Sequence, residues 1–96
     1  MLKDYIDIIH TLYAMESSDD EEFRIDKDVR DSAFKVVDKL VKDEIDTPKI
    51  MRHGPHSVVF FWEEGDITSY ITITPGKISF LRTDTEGVLE RSTEVI

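Results

Sequence analysis

Apolar residues recur at three- and four-residue intervals at the start of the chain. Leu2, Tyr5, Ile6, Ile9, Leu12 and Tyr13 fall on one side of a helical wheel, with Asp4, Asp7, Thr11 and Ala14 mainly opposite. That period matches an α-helix with one buried face, and it predicts a helix over residues 2–15. The pattern breaks at Glu16-Ser17-Ser18-Asp19-Asp20-Glu21-Glu22, where clustered Ser and Asp side chains compete for backbone hydrogen bonds. It resumes with Val29, Ala33, Val36, Val37, Leu40, Val41 and Ile45, with Phe34 at the edge of the stripe. Lys35, Asp38, Lys39, Lys42 and Asp43 form the solvated side. Asp26 or Asp28 can cap the start of this second helix by accepting backbone N–H bonds. Thr47-Pro48 is the expected stop, because proline disfavours a helical residue before it. The reading is a helix over residues 27–45.

From Pro48 onward the period shortens to two and the residues become Val, Ile, Thr, Phe and Tyr, punctuated by glycine turns. Ile50-Met51 suggests a short strand before His53-Gly54-Pro55-His56. The clearer strands are 57–62, 67–74, 77–83 and 87–93. Connections as short as Glu63-Glu64-Gly65-Asp66, Pro75-Gly76 and Asp84-Thr85-Glu86-Gly87 make the strands antiparallel neighbours. A four-residue loop at 63–66 pairs Trp62 with Ile67, Phe60 with Ser69 and Val58 with Ile71. The Pro75-Gly76 turn pairs Ile73 with Ile78, Ile71 with Phe80 and Tyr70 with Leu81. Alternation then places Val58, Phe60, Trp62, Ile67, Ile71, Ile73, Ile78 and Phe80 on one face, which should take the helices. The other face carries Val59, Phe61, Tyr70 and Leu81 among Thr68, Thr72, Ser79 and Thr83, which is too apolar for a fully solvated surface. Either Val95 and Ile96 at the C-terminal end cover it, or it is a contact surface.

The predicted fold is therefore a single α+β domain over residues 1–96. Its helical half is residues 1–46 and its antiparallel sheet residues 47–96. Two N-terminal helices pack on one face of a four- to five-stranded antiparallel β-meander. A length of 96 residues with 40% hydrophobic composition suits one domain with one core.

Charge divides the chain further. The net charge is −9, from 21 acids and 12 bases. Residues 1–46 hold 14 acids and 7 bases, whereas residues 47–96 hold 7 acids and 5 bases. Such a balance argues against nucleic acid and against anionic membrane as partners. Asp4 and Asp7 interrupt the apolar stretch a signal peptide needs. The longest apolar run is Val58 to Trp62, five residues, far short of the roughly 18 of a membrane span. With no Cys, disulfides, iron–sulfur clusters and thiolate zinc sites are excluded. The expectation is a cytoplasmic protein.

Candidate chemistry is sparse. His53 and His56, with Glu63 and Glu64 across the hairpin, could ligate zinc or nickel, although Gly54-Pro55 between the imidazoles reads as a turn. Asp26 to Asp31 fails as a calcium loop, because Arg30 and Asp31 stand where an acid and a glycine belong. No phosphate loop, dinucleotide glycine pattern or nucleophile elbow is present, so neither catalysis nor a cofactor is expected. The run from Glu16 to Asp31 holds 8 acids and 3 bases. Asp19, Asp20, Glu21 and Glu22 are its candidates for contact with a basic protein partner. Phe23 and Ile25 read as a hydrophobic staple onto the second helix.

Pro48-Lys49-Ile50, Ser57-Val58-Val59-Phe60-Phe61-Trp62-Glu63-Glu64-Gly65, Ile71-Thr72-Ile73-Thr74-Pro75-Gly76 and Gly87-Val88-Leu89-Glu90 together resemble a recurring type. It is that of small bacterial and phage-borne proteins of unknown function, with a helix followed by a four-stranded meander. The resemblance covers residues 30–92 and rests on the strand ending in Trp-x-x-Gly. It implies the fold and no activity, so no functional residue is carried over. In size and acidity the chain is also similar to phage-encoded inhibitors of bacterial defence. The expected function is non-catalytic protein–protein interaction, through the acidic helical half or through Val59, Phe61, Tyr70 and Leu81. The alternatives are a homodimeric assembly protein built on the same face, or a small metal-binding enzyme at His53 and His56.

Overall fold

The computed structural model describes residues 2–19 and 24–96, with side chains from Tyr5 onward. The side chain of Leu2, and all of Phe23, lie outside the described residues. Two helices are followed by five strands, which form an α+β fold with an antiparallel meander in the order β1-β2-β3-β4-β5.

Helix α1 spans Leu2–Glu16. Its apolar arc is wide, and tertiary packing selects only part of it. Tyr5, Ile8 and Leu12 are buried, whereas Ile6 and Tyr13 are 44% and 49% exposed. The stripe read from the sequence was centred one position too far round the wheel, and it omitted Ile8. Helix α2 spans Lys27–Lys42 and buries Val29, Ser32, Ala33, Val36, Val37 and Leu40. It ends three residues before the predicted stop, and Pro48 is not the cause. Glu44 takes the left-handed conformation (φ 58°). The Ile45 N–H then donates to the Leu40 carbonyl and the Glu44 N–H to that of Val41. These two bonds form a Schellman cap, which closes the helix on its own last carbonyls.

Strand β1 covers Lys49–Arg52, β2 Val58–Glu64, β3 Ile67–Thr74, β4 Lys77–Asp84 and β5 Gly87–Val95. The β3–β4 register is as the sequence reading had it, with Ile73 opposite Ile78, Ile71 opposite Phe80 and Tyr70 opposite Leu81. The β2–β3 register differs from that reading by two residues. Glu64 pairs with Ile67, Phe60 with Ile71 and Val58 with Ile73. The strands run on through Glu63 and Glu64, because Gly65 (φ 61°) permits a two-residue turn with Asp66. A slip of two residues keeps each side chain on its face, so the face assignments survive the correction.

The inner face carries Val58, Phe60 and Ile73, which join Tyr5, Leu12, Ile25 and the α2 stripe in the core. Three polar ties hold the layers in register. The Tyr5 hydroxyl donates to the carbonyls of Ile45 (2.8 Å) and Asp46 (3.1 Å). The Trp62 indole N–H donates to the same Asp46 carbonyl at 2.7 Å. The Gly76 N–H donates to the buried Ser32 hydroxyl at 2.9 Å, which pins the β3–β4 turn to α2. Among the described residues, no helix is long and apolar enough to cross a membrane.

Candidate functional site

The outer face of the sheet is the face turned away from the helices. It is built from alternate residues of all five strands. Met51 stands beside Val59, Phe61 beside Tyr70, and Tyr70 beside Leu81. Val59 is buried, while Phe61, Tyr70 and Leu81 remain half-buried. The rings of Phe61 and Tyr70 lie near-parallel, with centroids 6.3 Å apart. Lys49 Nζ sits 6.0 Å from the Phe61 centroid, at the outer limit of a cation–π contact, and 3.6 Å from Glu63. A shallow hollow of about 340 Å³ lies over Met51, Val59, Tyr70 and Leu81.

The chain's own C-terminal end does not cover this row. Val95 is 86% exposed at the sheet edge, and Ile96 packs against the core on the other side. The Ile96 N–H donates to the Gly76 carbonyl at 2.9 Å, which holds it there. Coverage by Val95 and Ile96 is thus excluded as the reason for the apolar row.

Charge on this face runs against that of the whole chain. Lys49 opposes Phe61, Lys77 opposes Thr74, and Arg91 opposes Leu81, so three cations share the outer face. Glu63, opposite Thr68, is the carboxylate among the strand residues there. The sequence reading missed these cations. Lys77 was within its reach by simple alternation from Tyr70. Arg91 was not, because β5 contains a bulge between the pairs Thr83–Val88 and Arg82–Glu90, which leaves Leu89 unpaired. Uninterrupted alternation from Val88 would put Glu90 and Glu94 outward and Arg91 inward. The bulge reverses this.

The other candidates are placed elsewhere. His53 and His56 flank the β1–β2 turn, but Glu63 and Glu64 stand at the far end of β2, on the order of 20 Å of extended strand away. The expected four-residue constellation does not assemble, because the two pairs occupy opposite ends of one strand. His53 Nδ1 lies 3.1 Å from the Ser57 hydroxyl, which itself donates to the His53 carbonyl. His56 Nδ1 lies 2.6 Å from Asp26 Oδ2. Asp26 occupies the N-cap position of α2 but makes no side-chain cap bond, since its carboxylate faces His56 instead. Among the described residues, no three His, Asp or Glu side chains converge as a metal site.

Of the acidic run, Asp19 is exposed, and Asp20, Glu21 and Glu22 lie outside the described residues. Part of the run is neutralised internally. Arg30 binds Glu16 and Asp31, each at 2.9 Å, and lies over the rings of Tyr13 and Phe34. Ile25 is buried, with its N–H on the Met15 carbonyl. It ties the interhelix segment to the core directly rather than by a staple, since its partner position on α2 would be Arg30.

Compared with known proteins, the chain matches no family model, and no curated protein or solved structure is significantly similar to it.

Proposed function

We propose that this protein is a non-catalytic protein-interaction module whose outer sheet face docks an acidic surface of a protein partner. The observation that carries the proposal is the half-open row of Phe61, Tyr70 and Leu81, around the buried Val59, among Lys49, Lys77 and Arg91. Apolar and aromatic side chains supply contact area that stays wet without a partner. The three cations select for an acidic surface and steer its approach. A second copy of this chain is the poorer occupant, because two molecules of net charge −9 repel. A cytoplasmic location belongs to the same reading, which the cysteine-free composition supports.

The test is site-specific photocrosslinking from position 70 in the native host, compared with capture by Phe61→Asp combined with Arg91→Glu. The expected result is one crosslinked protein that the double variant loses and that the helix-surface variant Lys35→Glu retains. Retention by the double variant would refute the outer face as the docking site. A wild-type dimer in light scattering that the same variant dissociates would replace the proposal with self-association. Tight binding of an oligothymidylate would replace it with a nucleic-acid platform.

A further inference from the structure

The helix layer does not reach across the whole sheet. Helix α1 packs on α2, and α2 packs on β3. A helix with its side chains is about 10 Å wide and strands lie about 4.8 Å apart, so each helix covers about two strands. Five strands outrun two helices. Accordingly every residue of β5 is exposed, and on the inner face Ile71, Ile78 and Phe80 are only half-buried.

The uncovered strip is a groove rather than a flat edge. Two hollows, of about 480 Å³ and 160 Å³, share Ile71 and Phe80 as their common floor. Leu40, Ile45 and Trp62 complete the apolar wall of the larger one, where the Schellman cap ends α2. Carboxylates rim the groove: Glu44, Asp46 and Glu64 at the larger hollow and Glu94 at the smaller. Among the described residues, no Lys or Arg lines either hollow. Among the described residues none of these four carboxylates makes an ion pair. The β5 bulge contributes here too, because it turns Ser92 and Glu94 to the inner side, along with Glu90, which pairs with Arg82 at 3.2 Å.

We propose that this groove is a second docking site, for a basic amphipathic helix of a partner protein, which completes the helix layer over β4 and β5. The half-exposed β4 and the fully exposed β5 together make two strands, about the span that one helix covers. Its floor presents aromatic and aliphatic side chains, which anchor residues at i and i+4 of such a helix can fill. Lysines or arginines flanking those anchors meet the unpaired carboxylates, whereas an acidic helix is repelled. The site extends the interaction-module reading to the opposite face of the sheet and does not depend on the outer-face contact.

Trp62 is the one tryptophan of the chain and lines the groove, so its fluorescence reports occupancy directly. The probe is a helical peptide of about 14 residues made of leucine and lysine, with leucines at i, i+3, i+4 and i+7. The full chain should give a saturable change in Trp62 emission that weakens sharply at high salt. Phe80→Ser changes no charge and should weaken binding about tenfold or more. Glu44→Lys with Glu64→Lys, at surface positions that leave the floor intact, should do the same. A leucine–glutamate peptide of the same pattern should leave the emission unchanged. Wild-type affinity in the folded groove variants would show the peptide held by the acidic surface at large, and would overturn the proposal. Equal binding of the glutamate peptide would overturn it as well. Should Phe80→Ser fail to fold, the Glu44/Glu64 variant decides alone. Phe61→Asp with Arg91→Glu should leave the Trp62 response unchanged, so loss of one site and loss of the other appear in different variants.

Discussion

Strands β2 and β5 belong to one sheet and differ little in length, yet their surroundings are opposite. In β2, Val58 and Phe60 face the helices with no measurable exposure, and even the outward Val59 is buried. In β5 no residue is buried, although Val88 and Leu89 are as apolar as their counterparts. Strand chemistry therefore does not decide burial. Position in the sheet does, through the helix layer on the inner face and through flanking strands for Val59, and the edge strand beyond that layer stays exposed along its whole length.

The sharpest test of that contrast is truncation. Phe60→Ala should destabilise the protein by about 3–5 kcal/mol in urea denaturation, through lost burial and the cavity left behind. Val88→Ala should change stability by less than about 0.5 kcal/mol. Similar costs would mean that β5 is buried in solution and that no open strip exists. Within β3 the same gradient should appear. Ile73→Ala, at a fully buried site, should cost about 2–4 kcal/mol and Ile71→Ala, beside the groove, about half as much. Thr72→Ala, on the outer face, should cost less than either.

Tyr5→Phe probes the tie between α1 and the α2–β1 connection, and should cost about 1–2 kcal/mol because the Ile45 carbonyl loses its side-chain donor and the Asp46 carbonyl keeps only that of Trp62. Burial, reinforced by the charge of Asp46, raises the Tyr5 pKa above its ordinary value near 10. A raised native pKa means stability that is complete below about pH 10 and lost as the pH climbs through the native value. The wild type should therefore lose that increment above about pH 10, and Tyr5→Phe should not. Parallel alkaline curves would show that the hydroxyl is solvated. One expected effect is a small gain. Glu44→Gly relieves a left-handed residue at the helix cap and should stabilise by about 0.5 kcal/mol, readable as a higher urea midpoint.

Much of the fold was legible because its signals are local. The helical period of Val29, Ala33, Val36, Val37 and Leu40 marked the buried face of α2. The Pro75-Gly76 turn set the β3–β4 register through the residue types it joins. The errors arose where a local signal had two readings. Glu63-Glu64-Gly65-Asp66 reads as a four-residue loop by composition, but Gly65 allows a two-residue turn, so the strands extend. Asp26 reads as a cap until His56 arrives from thirty residues away in sequence. Of the outer-face site, the apolar row was legible by alternation, and the cations around it were not.

The sequence by itself determined the element types, the antiparallel order and the parity of β2, β3 and β4. Backbone sterics, a period of 3.6 or 2, and short turns act over a few residues. Only the tertiary structure decided which part of the α1 arc is buried, how far the helices reach across the sheet, and where β5 bulges. Those outcomes depend on how the layers fit together, which no local period encodes. The bulge weighs most: by adding one unpaired residue at Leu89 it turns Arg91 to the outer face and Glu90 and Glu94 to the inner one. A chain of net charge −9 thereby presents a cationic face and an acidic groove on opposite sides of the same sheet.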